Sequence, residues 1–296
     1  MAASICRRDF QIFQHPQSDQ ARRCAAIQRR RQPVRSDVGR TAAARSRSRA
    51  SSRAATVWMS PTEQVTVCCG STEAMMSHHD GDHRSGRRGR RLRAVLRELR
   101  PGRDSVGRDA ALRHAARAAI GTFDPDELAA AFNNKTKAII INTPNNPTGK
   151  VFTRDELETI AALCRKWDAI AISDEIYEHI IYDGHRHVPI ATIDGMAERT
   201  VTINGLSKTY SVTGWRVGWT ISPPSLTGAI RKVHDFLTVG APAPLQEAGV
   251  GRARRCRTRY YRRPRGEVSA RCRDMLLEIL ERHQFTCYKP CGRTTS

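Results

Sequence analysis

Apolar and polar positions alternate legibly in only part of the chain. Between residues 121 and 248 short apolar runs recur with amphipathic or connecting segments between them. Asp124 stands where a helix needs a cap, with Pro125 at the first helical position and Glu127 three residues after the cap. Residues 138–142 form an unbroken apolar strand. Thr153-Arg154-Asp155-Glu156 is a capping box, and Leu157, Ile160, Ala161 and Cys164 follow at i, i+3, i+4 and i+7, one face of a helix. Residues 169–173, 200–203 and 217–221 read as further buried strands. Upstream, 64–68 reads as a short strand and 70–76 as a turn opening a helix. Strands that are continuously apolar and separated by amphipathic helices predict a mainly parallel sheet covered on both faces. The fold class is α/β.

Elsewhere the pattern fades. Residues 1–60 keep no period of 2 or 3.6 and are rich in Arg, Ala, Ser and Gln, the composition of a tail without a core. Residues 77–118 are rich in Arg and Gly, with only Leu92, Val95, Leu96 and Leu99 hinting at a helix. Order weakens again after 248 and returns at 273–280 as a helix. The expected organisation is a basic, disordered or out-of-frame segment at 1–60, a large domain at 61–250 with an atypical stretch at 77–118, and a remnant of a smaller domain at 251–296.

Length and composition narrow the class. The chain has 296 residues, enough for one large domain or two ordinary ones. No apolar run approaches the roughly 18 residues of a membrane helix, and the start lacks the basic-then-apolar order of a secretory signal, so a cytoplasmic, membrane-free protein is expected. Nine cysteines include no CxxC pair, which signals neither a zinc framework nor a disulfide scaffold. The run His78-His79-Asp80-Gly81-Asp82-His83 has no scaffold around it, so no metal site is expected. His185 and His187 flank a turn and are expected in solvent.

Net charge is +21, yet 121–248 holds 12 Lys or Arg against 15 Asp or Glu, so the flanks carry the whole excess. Only seven of the 50 basic residues are Lys, and none precedes Lys135. Nucleic-acid-binding tails usually mix Lys with Arg and interleave aromatics; these flanks are almost purely Arg and carry few aromatics.

The chemistry gathers at strand ends, where doubly wound sheets collect ligand groups. Strand 138–142 leads into Thr143-Pro144-Asn145-Asn146-Pro147-Thr148-Gly149. Strand 169–173 leads into Asp174-Glu175-Ile176-Tyr177, and strand 200–203 into Asn204-Gly205-Leu206-Ser207-Lys208. Arg216 follows within Thr213-Gly214-Trp215-Arg216-Val217-Gly218.

In these motifs, their order and their spacing the chain resembles the class I/II aminotransferases, pyridoxal-phosphate enzymes of fold type I. The resemblance runs through 121–248, takes in 65–76 and reaches weakly into 271–292. It implies a mostly parallel large-domain sheet covered by helices, and transfer of an amino group from an α-amino acid to a 2-oxo acid. It implies that Lys208 joins the cofactor aldehyde and then shuttles the substrate proton. Asp174 would hold the pyridine nitrogen protonated, and Tyr177 and Asn146 would bond the ring oxygen. Arg216 would grip the phosphate, with Ser71 and Thr72 donating at a helix N-terminus. Where many relatives carry a phosphate-binding Ser, this chain has Gly205; Ser207 or Asn204 would stand in. A homodimer, with each site completed by its partner, is implied as well.

Parts of the family pattern are missing from this sequence. No aromatic occurs in 77–118, where the ring-stacking residue is expected, and the substrate-carboxylate arginine would come after the last residue, Ser296. The small domain is therefore read as incomplete and the chain as truncated, with doubtful activity. The Lys-free, Arg-rich stretches are read as frameshifted translation of a GC-rich gene, against a genuine basic insertion. Two alternatives stand beside the aminotransferase reading: a carbon–sulfur lyase or cyclopropane-forming synthase on the same fold, and a non-catalytic basic protein that binds nucleic acid.

Overall fold

The computed structural model describes residues 61–80, 123–255 and 266–292. In chain order these form β1 (Val65–Cys68), α1 (Ser71–Asp80), α2 (Pro125–Ala131), β2 (Ala138–Asn142), α3 (Arg154–Trp167), β3 (Ile170–Asp174), β4 (Thr200–Gly205), α4 (Leu206–Thr209), β5 (Gly218–Ile221), α5 (Pro224–Leu237), α6 (Ala243–Arg255) and α7 (Gly266–Arg282). The basic tail at 1–60 and nearly all of the stretch at 77–118 lie outside the described residues, although α1 continues to Asp80. α6 runs through residue 250, where the pattern reading ends the large domain.

Local signals set the helix starts. The Asp124 carboxylate accepts from the Asp126 and Glu127 amides, with Pro125 at the first position. Thr153 and Glu156 form a reciprocal capping box, and α3 closes on Asp168 in the left-handed region. α3 then buries Leu157, Ile160, Ala161 and Cys164, the face its spacing predicts, and Leu163 beside them.

The sheet order is β1-β5-β4-β3-β2. β2, β3 and β4 are parallel, while β5 pairs antiparallel with both β4 and β1. Every strand except β5 therefore points the same way, and the sheet is mixed but mostly parallel. Side chains alternate between its faces, as the two-residue strand period demands. Ile139, Ile141 and Ala171 pack on α3 and on Ile190, Ile193 and Met196. Ala138, Ile140, Ile172, Val201 and Ile203 pack on Ala74 and Met75 of α1 and Ile230 of α5. Both faces are covered, which is why these strands read as unbroken apolar runs. Full burial of a side chain such as Leu157 stabilises the fold by about 1.5–3 kcal/mol.

The C-terminal segment returns to the sheet. The buried Arg273 guanidinium of α7 makes two bonds to Asp183, at 2.7 and 2.9 Å, donates to the Pro290 carbonyl and lies over the Tyr182 ring. The Gly292 amide then donates to the Gly149 carbonyl, 2.8 Å, and Gly292 bridges Ile181. A Cβ on Gly292 would stand 2.9 Å from Pro144 Cβ, so glycine lets this segment lie against the Asn-Pro turn. No helix among the described residues is long and apolar enough to cross a membrane.

Candidate active site

Because β5 opposes its neighbours, its start meets the ends of the others. Cys68 and Gly205 both pair with Gly218, Asn142 is in register with Asp174, and Asp174 with Ile203. The segments that leave β1–β4 and the one that enters β5 share one rim, and they carry Ser71, Thr72, Asn146, Asp174, Tyr177, Ser207, Lys208 and Arg216.

The rim has a turn fit for an anion. Gly70 takes φ +87°, and a Cβ there would stand 2.5 Å from Nη2 of Arg216, so the guanidinium occupies the space a side chain would fill. Arg216 itself caps a short 3-10 turn in the left-handed region, donating to the Thr213 carbonyl at 3.2 Å, and is otherwise exposed. Next to Gly70, Ser71 opens the ten-residue α1, whose first-turn amides carry the positive end of the helix dipole. Ser71 is half-buried and Thr72 exposed.

The neighbouring strand ends carry the other groups. Asn146 Nδ2 donates to the Tyr177 hydroxyl at 3.2 Å, although 31 residues separate them. Asn142 Oδ1 accepts from the Asn146 amide and holds that turn. Lys208, half-buried on α4, has its Nζ 5.8 Å from the centroid of the Tyr177 ring. Asp174 closes β3 half-buried, with Oδ1 accepting the Ile176 amide at 3.2 Å. Ser207 is buried beside Lys208.

Two expectations change. Asn204 does not replace the missing serine: its Nδ2 bonds Glu178 at 2.6 Å and its Oδ1 accepts from the Gly205 amide. Gly205 is there because a Cβ would meet the Val217 carbonyl at 3.0 Å and Gly218 Cα at 3.1 Å. His187 is not in solvent; its side chain is 6% exposed and its Nε2 lies 3.1 Å from the fully buried Glu175. His185 is exposed as expected.

The structure also adds residues that local patterns do not reveal. Glu73, His234 and Cys68 converge in the core beneath the turn, and Glu175, Glu178 and His187 converge near β3. Glu73 and His234 are 161 residues apart, a pairing that no helical or strand period encodes. Burial pushes the Cys68 thiol well above its ordinary range, and the Glu73 charge adds to this, so the thiol stays protonated. The histidine-rich run at 78–83 has no described side-chain geometry.

The donor set suits a phosphorylated aromatic aldehyde. A guanidinium and a helix start lie at one end, a paired amide and phenol with an amine above the ring lie in the middle, and a carboxylate closes the next strand. The stretch 77–118, where a ring-stacking aromatic is expected and the sequence has none, lies outside the described residues beyond Asp80.

A sequence model of the aminotransferase class I and II family matches residues 105–293. The match begins inside the atypical stretch, upstream of where the motifs become legible. Bovine kynurenine–oxoglutarate transaminase 3 is 54% identical over 127 residues, 43% of this chain and 28% of that protein. Human kynurenine–oxoglutarate transaminase 1 is 42% identical over 165 residues, 54% of this chain and 39% of that protein. The chain thus spans well under half the length of these curated relatives. Among solved structures, the N-succinyldiaminopimelate aminotransferase of Mycobacterium tuberculosis superposes with a TM-score of 0.81 at 29% identity, over 94% of this chain and 72% of that one.

Proposed function

The chain belongs to the class I and II aminotransferases, and on that footing we propose that its site holds pyridoxal phosphate and serves transfer of an amino group from an α-amino acid to a 2-oxo acid. The observation that carries this reading is the convergence of Lys208 on Tyr177, with the Tyr177 hydroxyl bonded to Asn146. Three separate strand ends supply these residues, and the only shared purpose their chemistry suggests is to surround one small aromatic ligand.

Pyridoxal phosphate, when bound, supplies an aldehyde that captures amines and a ring that accepts electron density from the substrate α-carbon. The chain does the rest. Arg216 and the first amides of α1, with the Ser71 and Thr72 hydroxyls, bind the phosphate and so fix the ligand's position. Asn146 Nδ2 and the Tyr177 hydroxyl donate to the ring oxygen. The Asp174 carboxylate keeps a proton on the pyridine nitrogen, which maintains the ring's electron demand. The Lys208 amine would take the proton from the substrate α-carbon and deliver it to the cofactor's aldehyde carbon, across the intervening nitrogen. Ser207 supports α4 next to this amine. The donor and acceptor are an amino acid and a 2-oxo acid, and kynurenine with 2-oxoglutarate is the first pair to assay, given the names of the relatives. A homodimer is the assembly proposed.

The test is reductive trapping. Full-length protein saturated with pyridoxal phosphate and treated with borohydride should yield one tagged peptide containing Lys208, and Lys208→Ala should abolish the tag and the visible absorbance. Folded, saturated protein that gives no tagged Lys208 peptide sinks the proposal.

A further inference from the structure

Beneath the anion turn lies a buried carboxylate–imidazole pair with no assigned role. Glu73 sits in the first turn of α1 and His234 in the last turn of α5, both buried. Glu73 Oε1 lies 2.6 Å from His234 Nδ1 and also accepts from the Thr238 hydroxyl at 3.0 Å. Its other oxygen, Oε2, accepts the Cys69 amide. One carboxylate therefore ties the residue before Gly70 to the end of α5. Burial pushes the Glu73 carboxyl upward, but the bonds from His234, the Cys69 amide and Thr238 outweigh it and hold it below its ordinary value.

The turn needs such a tie. Gly70 holds a left-handed backbone with the Arg216 guanidinium pressed on it, and Gly218 approaches from the opposite side, where even a methyl group would overlap the Gly70 carbonyl carbon. The backbone of 69–71 is fixed from above by contact with β5 and from below by Glu73. Helix-start amides bind an anion only when they are aimed at one point, and their aim is set by this short segment.

We propose that Glu73, seated by His234 and Thr238, is the positioning residue of the phosphate site: it touches neither ligand nor reacting atoms, and it sets the aim of the turn that holds the phosphate. This inference rests on the pyridoxal-phosphate reading above. Removing one bond to a buried carboxylate loosens the turn without touching Lys208, Asn146 or Tyr177, so the defect should follow the phosphate and not the ring.

The experiment compares affinities of full-length wild type, Glu73→Gln, Thr238→Val and Thr238→Ser for three probes: pyridoxal phosphate, pyridoxal and inorganic phosphate. Cofactor absorbance reads the first two and phosphorus NMR the third. Glu73→Gln should weaken both phosphate-bearing probes by about ten- to a hundredfold, the usual effect of losing a hydrogen bond to a charged group, and leave pyridoxal unchanged. Thr238→Val should show a smaller loss of the same kind, and Thr238→Ser should restore it. Thr238 is exposed, so this second pair carries the test if Glu73→Gln does not fold. Equal losses for pyridoxal and its phosphate, or variants that match wild type, overturn the inference while the cofactor reading stands. Wild type that binds no pyridoxal phosphate overturns both.

Discussion

A methyl group added at Gly218 would stand 2.4 Å from the Gly70 carbonyl carbon and 2.5 Å from the Ser71 amide nitrogen. Both are main-chain atoms, so no rotamer change relieves the overlap. Comfortable carbon contacts begin at about 3.5 Å, so β5 and the turn must part by about 1 Å. Overpacking of this kind costs about 1–3 kcal/mol; at roughly 2–4 °C per kcal/mol, Gly218→Ala should lower the melting midpoint by several degrees. A displacement of about an ångström at a site that must aim donors carries a penalty of about a hundredfold, so pyridoxal phosphate affinity should fall far more than stability alone suggests. Gly228→Ala is the matched control. That glycine is exposed in α5 with open space around it, and its replacement should stabilise the chain by about 0.5–1 kcal/mol through helix propensity with no change in affinity. Scanning calorimetry and cofactor titration read both quantities. Gly218→Ala with wild-type affinity and midpoint would refute the close approach and the turn geometry built on it.

Other outcomes follow from single groups. Burial pushes the Cys164 thiol up to about 12, so at pH 8 only about one molecule in ten thousand carries a thiolate there; an iodoacetamide pulse on folded protein should leave Cys164 unmodified, and its labelling in the native state would contradict the packing of α3. Hydrogen bonding from Arg273 holds the Asp183 carboxyl below its usual range, so the stability this contact adds is complete above about pH 4 and fades as acid carries the pH through the lower folded value. Arg273→Met should cost about 1–3 kcal/mol at neutral pH, a modest figure because water reaches Asp183. The gap between variant and wild type in tryptophan-monitored unfolding should narrow toward pH 2, and a constant gap would discount the ion pair. Finally, the nucleotides behind 77–118 and 250–270 should encode aminotransferase-like text in another frame; absence of such text in both alternative frames ends the frameshift reading.

The strands and the rim of polar groups at their ends are legible because each rests on a local pattern. Ile139 and Ile141 face one layer and Ala138 and Ile140 the other, and a doubly covered strand must be apolar throughout; the Asp124 and Thr153 caps are complete within four residues. Asn146, Tyr177 and Lys208 could be singled out as candidates because each stands just past a strand end, the position where topology gathers ligand groups. What stayed hidden is long-range and polar. The antiparallel direction of β5 leaves no mark in its own residues. Glu175 with His187 and Glu73 with His234 are polar pairs brought together in the interior from separate segments, and neither half of such a pair announces the other. The turn before Pro189 reads as solvent-facing from its composition, yet His187 folds back beneath β3 while His185 stays out.

The clasp at Gly292 has a consequence for timing. The ribosome delivers Gly149 and its Asn-Pro turn long before Gly292 can reach back to bond it. A nascent polypeptide therefore carries Asn146 on a bend held by its own contacts, Asn142 Oδ1 to the Asn146 amide among them, and the outer brace arrives only with Gly292, the last described residue. A polypeptide cut just before Gly292 would keep the sheet and the bend's own bonds and lose only this outer brace beside Asn146.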